Sequence, residues 1–465
     1  MNKMNSLLHG FLCILFVVSS SISSEPKAFR PISGPMVGYT GMREVQIWTE
    51  WPKSKQPISV QIQYRDKEKS KNPSSSYHLS QVFEPKHKSG TLTIPLTLLE
   101  PSKTYEYKIL VNQKEIAFDY ALEFKTKPLW QWRKDPPDVR FAIGSCNYIN
   151  DPAYDRLGKI YGSGYEIFAS IQKDQPEFFV WMGDNVYLRE ADWDSESGIY
   201  YRYSHTRRNR EMQSMLASMF HIATWDDHDF GPNDASSSYG FRDSVERIFK
   251  EYWPDPSYPK KGLYRSYTWS DIEFFLLDNR TFRTANTNFY DLEKPKSFQK
   301  SKGRSALGRK QKEWLFNALS DSQSKIKFIV LGGQFINSAQ VYENLSNYEE
   351  DRNEILDFIH KMKISGVIFL SGDRHHSEIS RLDRGNLYPI YEWTISPLTA
   401  GLSSTTQSEP NQYRIPDSYI LDRVYGLIEI TGIGKDRMIR LSTKNTYGKE
   451  LYKFEIPLAD LKKTE

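Results

Sequence analysis

The chain has 465 residues, 38% of them hydrophobic and 26% charged, with a net charge of +4. That length points to two domains rather than one core, and the balance of apolar and charged residues excludes a disordered chain. The mild positive charge, with no basic stripe set in a motif, gives no ground for nucleic-acid binding.

At the N-terminus Lys3 is followed by the apolar run "FLCILFVV" (11–18) and then by "SSSISSEP". A short charged region, an apolar stretch and small residues make a signal peptide over residues 1–24. The apolar run is shorter than the roughly 20 residues a membrane span needs, and no second run of that length follows. The expectation is an exported protein, periplasmic or extracellular, without a stable membrane span. No cysteine follows the apolar run to take a lipid, and there is no twin-arginine pair. Of the two cysteines, Cys13 leaves with the signal peptide and Cys146 is left without a disulfide partner. It is either buried and inert or bound to something.

Residues 30–128 read as an all-β domain. "REVQIWTEW", "ISVQIQYR", "SGTLTIPLTLL", "KTYEYKILVN" and "AFDYALEFKTK" alternate apolar and polar residues between turn signals. "LLEPSKTYEYKIL", with Tyr105 and Tyr107 entering a strand, resembles the tyrosine corner of a fibronectin/Ig-like β-sandwich. The many aromatic residues read as strand and interface packing. No His, Asp or Cys cluster occurs here, so no chemistry is assigned. "KPLWQWRKDPPD" (127–138) is the expected linker.

From Val139 to about residue 455 strands alternate with helices, the pattern of an α/β domain. "GYEIFASIQKD", "YRYSHTRRNREMQSMLASM", "YGFRDSVERIFKEYW", "GRKQKEWLFNALSDS" and "EEDRNEILDFIHKM" have helical spacing. "NPSSSYH" and the long basic "NFYDLEKPKSFQKSKGRS" are polar loops, the second either solvated or a lid.

The apolar runs between these helices share one property. "VRFAIGSC" ends in Cys146, "FFVWMGD" in Asp184 with Tyr187 next, and "HIATWDDHD" in Asp226, Asp227, His228 and Asp229. "FFLLDNR" ends in Asp278 and Arg280, "KFIVLGGQ" in Gln334, and "GVIFLSGDRHH" in Asp373, Arg374, His375 and His376. In layered α/β folds ligands sit at the carboxyl ends of strands. One such Asp is commonly a helix cap; six polar strand ends argue for one shared site. Carboxylates, imidazole, carboxamide, thiolate and phenolate are metal ligands, and so many anionic groups cannot converge without cations. Two metals suit the set better than one, because a pair about 3.5–4 Å apart clamps both oxygens of a phosphoryl displacement.

"GSC", "GDNVY", "WDDHD", "GGQ" and "SGDRHH", in this order, resemble the motifs of the PhoD-like phosphatases, the alkaline phosphatase D family of calcineurin-like metallophosphoesterases. "LLDNRTFR", "LGRKQKEWL" and "YEEDRNEILDFI" resemble its intervening segments, so the resemblance spans about residues 30–450. It implies a two-sheet αββα metallophosphoesterase sandwich over 139–455, preceded by the β-sandwich. It also implies an exported phosphatase that hydrolyses phosphate monoesters at a dinuclear centre. A phosphodiesterase acting on phospholipid or wall-polymer diesters is the alternative, and a non-catalytic surface-binding protein is the reading from another class.

The resemblance further implies that Cys146, Asp184, Tyr187 and Asp373 hold Fe3+, with Asp184 bridging to a Ca2+ bound by Asp227, His375 and Asn233; other divalent ions are alternatives. His228 stands where these enzymes place the histidine that protonates the leaving oxygen. Arg280 is either a phosphate clamp or a salt-bridge partner of Asp278. Gln334 orients a ligand from behind, and Asp226, Asp229 and His376 support the site. Thiolate, phenolate and carboxylates are all anionic and together favour Fe3+ over Fe2+, which would also account for the unpaired Cys146.

Overall fold

The computed structural model describes residues 29–69, 76–285 and 304–462. The expected signal peptide, Cys13 and most of the two polar loops lie outside the described residues. Eight strands precede the linker: β1 (Ser33–Thr40), β2 (Glu44–Glu50), β3 (Val60–Asp66), β4 (His78–Leu79), β5 (Thr91–Thr97), β6 (Thr104–Val111), β7 (Lys114–Ile116) and β8 (Glu123–Lys125). After it come β9 (Val139–Gly144), β10 (Phe178–Met182), β11 (Phe220–Thr224), β12 (Arg265–Trp269), β13 (Ile272–Leu276), β14 (Ile326–Val330) and β15 (Val367–Ser371). The C-terminal part adds β16 (Glu378–Arg384), β17 (Leu387–Thr394), β18 (Val424–Thr431), β19 (Met438–Asn445) and β20 (Glu450–Pro457).

These strands form a mixed α/β fold with three sheets. The largest runs β20-β19-β18-β9-β10-β11-β1-β2-β5, and the second runs β12-β13-β14-β15-β17-β16. The third runs β4-β3-β6-β7, with β8 also on β6. The first two sheets face each other across a layer of phenylalanines. Phe141 stacks on Phe178 at 4.8 Å and Phe178 on Phe220 at 4.7 Å, while Phe274 of the opposite sheet meets Phe141 edge-on at 5.2 Å. The outer face of the first sheet, with Phe179 and Trp181, packs on helices Ile167–Lys173, Gln213–Ser218 and Arg242–Tyr252. Strands buried on both faces need no polar alternation, which is why "FFVWM" is apolar throughout.

The expected helix over "YRYSHTRRNREMQSMLASM" is two helices, Glu196–Arg207 and Gln213–Ser218, with a 3-10 turn at Arg210–Met212 between them. Asn209 stops the first and restarts the chain, its side chain accepting from the Met212 backbone at 3.2 Å.

The core also runs across the expected boundary at 127–138. β1 pairs antiparallel with β2 and parallel with β11, so three N-terminal strands extend the main sheet. Ile47, Ile62 and Ile109 belong to the same apolar cluster as Phe141 and Phe328. The sequence offers no strand at β1 because "SGPMVGYT" is buried on nearly every residue and carries glycine and proline, so it has no alternation to read. The tyrosine-corner expectation has a local counterpart: the Tyr105 hydroxyl accepts from the Glu100 backbone N–H at 2.9 Å.

Candidate metal centre

β9, β10 and β11 are adjacent and parallel in one sheet, and β13, β14 and β15 in the other. Cys146, Asp184 and Asp226 each stand two residues past the end of β9, β10 and β11, and Asp373 two past β15. The register of β10 on β11 continues to Asp184 opposite Asp226, with Cys146 one residue out of step on β9. The turns that carry them place non-glycine residues in the left-handed region: φ is +57° at Cys146, +50° at Asp184, +68° at Asp373 and +58° at His375, a conformation uncommon outside glycine though Asp and His tolerate it better than most. Surrounding bonds hold them there. The Cys146 N–H reaches Gly183 O at 3.3 Å, Asn147 N–H reaches Asp184 O at 2.7 Å, and His375 N–H reaches Ser396 Oγ at 2.8 Å. Gly332, after β14, lets the second sheet close on Asp226; a Cβ there would lie 2.3 Å from the Asp226 carboxyl carbon.

Four groups of three side chains bring their ligand atoms within 4.8 Å of one another: Cys146–Asp184–His375, Asp184–Asp227–His228, Asp226–Asp227–Asp373 and Asp227–Asp234–Glu343. In the first, Cys146 Sγ is 3.6 Å from Asp184 Oδ2 and accepts from Ser396 Oγ at 2.9 Å. The Tyr187 hydroxyl lies 3.3 Å from Asp184 Oδ2 and 3.1 Å from His375 Nε2. His375 Nδ1 is 2.6 Å from Gly401 O, which places its proton there and leaves Nε2 as the free lone pair. Asp184 is shared by two groups, as a bridging carboxylate requires.

Two placements differ from expectation. His375, expected beside Asp227, groups with Cys146 and Asp184; Asp373, expected beside Cys146, groups with Asp226 and Asp227. Both residues lie in left-handed backbone of one short segment, and their ligand atoms fall in different groups. Asp373 still lies near enough for its charge to act on the Cys146 thiol.

The electrostatics of this cluster are those of anions lacking counter-ions. Burial first, and then the charges of Asp227 and Asp226, push the Asp184 carboxyl well above the usual range. Burial and the Asp226 charge do the same to Asp373. Asp226 is raised by burial to about 6, and Asp234 by burial and Glu343 to about 7. Burial raises Asp227 too, but His228 and Arg280 outweigh it and hold the group at about 2. Burial drives the Cys146 thiol and the Tyr187 phenol up as well. Asp226 Oδ2 and Asp227 Oδ1 are buried with no hydrogen-bond partner among the described residues. Orphaned carboxylate oxygens are costly, and a cation among them removes the cost. The donor set therefore fits metal ions, a thiolate and phenolate side suited to a transition metal and an all-oxygen side suited to a hard one.

Arg280 pairs elsewhere than with the expected Asp278. It is fully buried, and Nε donates to Asp226 Oδ1 at 2.7 Å. Nη1 donates to Glu343 Oε1 at 2.9 Å and Ala235 O at 3.3 Å, while Nη2 meets both carboxylates. Its planar fork is saturated by these partners, and Asp278 receives only its backbone N–H, at 3.0 Å. Gln334 is buried behind the site, where its Oε1 accepts from Arg374 at 2.9 Å, so it steadies the residue next to Asp373. Asp229 accepts the N–H groups of Val186 and Asp226 at 3.1 and 3.0 Å, which fixes the turn after β10. His376 points away, stacked on Tyr419 at 5.1 Å. Asn233 is exposed and lines the same cavity as His228. His228 is half-buried, its ring stacked on Tyr187 at 4.2 Å.

Asp234 and Glu343 escaped the sequence reading. Neither follows a strand: Asp234 lies beyond the short helix Asp227–Phe230, and Glu343 lies in the loop after β14. "GPND", a turn signal directly after "WDDHDF", was the only hint for the first.

The family model described as PhoD-like phosphatase matches residues 141–423, more than half of the chain. The chain belongs to the PhoD-like phosphatase family. Alkaline phosphatase D of Bacillus subtilis (strain 168) is 24% identical over 343 residues, which are 64% of this chain and 55% of that protein. The chain thus spans little more than half the length of that curated relative. A solved structure of PhoD superposes with a TM-score of 0.74 at 19% identity, covering 93% of this chain and 90% of that one. A purple acid phosphatase from yellow lupin (Lupinus luteus) seeds gives a TM-score of 0.63 at 13% identity, covering 92% of this chain and 76% of the other. Both share the fold.

Proposed function

We propose that this chain is an exported hydrolase that cleaves phosphate monoesters with water, at a dinuclear metal centre built on Asp184. The observation that carries the reading is the junction of the four ligand groups at Asp184 and Asp227, with His228 beside them on the wall of the cavity. Cys146, Asp184, Tyr187 and His375 would hold a ferric ion, with Asp373 beside them. Asp227, Asp373 and Asp184 would hold a second ion, Ca2+ in this reading, with Asp226 and Asn233 as neighbours. When bound, the ions neutralise phosphoryl oxygens and acidify the attacking water.

The protein's own groups do the rest. His228 donates a proton to the leaving alcohol oxygen. Burial lowers its basicity and the Asp227 carboxylate offsets part of that effect. The face of Tyr187 fixes the His228 ring plane. Arg280 holds Asp226 and Glu343 so that their charges do not drive the ligand loops apart. Residues 30–128 are read as a fibronectin/Ig-like sandwich welded to the catalytic sheet through β1. No helix among the described residues is long and apolar enough to cross a membrane; export rests on the N-terminal sequence. Diester hydrolysis is the second reading, favoured by the size of the cavity, about 880 Å3.

The test is a panel of monoesters and diesters assayed with metal-loaded protein and with His228→Ala. The variant should lose roughly 10²–10⁴-fold in turnover for alkyl esters, with its metals retained. The loss should shrink for esters with acidic leaving groups, which need little protonation. An equal loss across leaving groups would remove His228 from the proton-donor role, and faster cleavage of diesters would favour the second reading.

A further inference from the structure

We infer that the cavity beside His228 is a binding pocket for an apolar leaving group, so that the preferred esters carry an alkyl chain on the departing alcohol. The inference rests on the phosphate-ester reading above. The cavity holds about 880 Å3, within the range of sites that enclose a small organic ligand and far more than a phosphate requires. Tyr187 and His228 line it, and so do the apolar side chains of Tyr148, Leu157, Ile160, Tyr161, Leu188 and Trp193. The aromatic part is continuous from site to rim: Tyr148 meets Tyr187 at 5.0 Å and Tyr161 at 4.8 Å.

The charges in that wall are largely spent on one another. Arg156 Nε donates to Glu190 at 3.0 Å. Arg189 Nη2 donates to Asp155 at 2.8 Å, and Asp155 also accepts from the Tyr148 hydroxyl at 2.8 Å. Lys159, on the rim, is the charged group of the wall without an ion pair among the described residues. An anionic headgroup at the metals with an apolar tail along this wall matches that distribution.

The rim is apolar where it is least expected. Leu157 is fully exposed and Ile160 is 74% exposed, three residues apart on one loop. The loop is anchored on both sides: Asp151 N–H donates to Asp155 at 2.7 Å, Ser163 N–H to Thr399 O at 2.9 Å, and the Tyr161 hydroxyl lies 3.1 Å from His375 Nδ1. Single exposed apolar residues need no account, but a cluster at the mouth of a site does. An alkyl chain lying in the pocket covers it.

The test uses metal-loaded protein and n-alkyl phosphates from ethyl to octyl, whose leaving alcohols have nearly the same acidity, so chemistry is constant along the series. kcat/KM should rise by about fourfold per added methylene until the pocket is filled. The double variant Leu157→Ser/Ile160→Ser changes two exposed side chains, so folding is not at issue, and it should flatten the upper half of the series. A series flat within twofold in the unaltered protein overturns the inference while leaving the phosphatase reading intact. A flat series together with a dimer that Leu157→Ser/Ile160→Ser dissociates would give the rim to a second copy of the chain and overturn it equally. No hydrolysis of any member would overturn the phosphatase reading and this one with it.

Discussion

Replacing Arg280 by Gln separates a structural arginine from a substrate-binding one. Arg280 is 0% exposed, and the two carboxylates it joins, Asp226 and Glu343, are 1% and 3% exposed. Removing Arg280 takes away the ion pair of Asp226 and leaves Glu343 with Arg283 alone, at 2.7 Å; breaking a buried ionic set costs about 3–5 kcal/mol. Unfolding entropy near 2.1 cal/mol/K per residue amounts to about 1 kcal/mol/K for a chain of this length. The melting temperature should therefore fall by about 3–5 °C in calorimetry. Arg280→Lys should recover little of it, because a single ammonium cannot reach both carboxylates in the fork geometry. Inorganic phosphate, measured as a competitive inhibitor of the metal-loaded protein, reports the other role. A phosphate clamp would contribute about 1.5–3 kcal/mol, so its loss would weaken inhibition more than tenfold. An unchanged melting temperature with phosphate inhibition weakened to that degree would refute the reading of Arg280 as a buried tie.

Three further outcomes are expected. Tyr187→Phe removes one oxygen and leaves the ring to stack on His228; iron retention should fall and the visible phenolate-to-iron band should bleach, and colourless, fully active native protein would rule out the ferric assignment. Deleting residues 29–128 strips β1 from the edge of β11 and opens the shared apolar cluster, so the remainder should be insoluble or unfolded by circular dichroism; a soluble, metal-binding remainder would show that the core does divide at the linker. His221 is buried, accepts from Trp181 Nε1 at 3.1 Å, and is lowered by burial to about 3. The unfolded chain takes up that proton below about 6.5 and the native chain does not, so this contribution is complete above about pH 6.5 and is lost as pH falls towards 3. By pH 5 the loss, relative to pH well above 6.5, is about 2 kcal/mol. His221→Gln should show a shallower acid decline in melting temperature, and identical slopes would count against it.

What the sequence determined by itself was the set of strand ends. Runs such as "FFVWMGD" and "GVIFLSGDRHH" must be buried strands because nothing else hides so many apolar residues in so few positions, and a charge at the end of a buried strand has to lie on the sheet's rim. Cys146, Asp184, Tyr187, Asp227 and His228 were legible for that reason, since each lies within a few residues of an element with a strong pattern. Three things only the tertiary structure decided. β1 was invisible because a strand buried on both faces and broken by glycine and proline has no alternation, and its value lies in a partner, β11, 180 residues further along the chain. The placing of Asp373 and His375 involves left-handed turns that no sequence pattern specifies, and two residues of one short segment fall in different ligand groups. Arg280 read as either a phosphate clamp or a salt-bridge partner of Asp278; its buried partner Glu343 comes from a distant loop, and a charge is claimed by whichever opposite charge the packing brings nearest, a matter settled by contacts between sheets rather than by order along the chain.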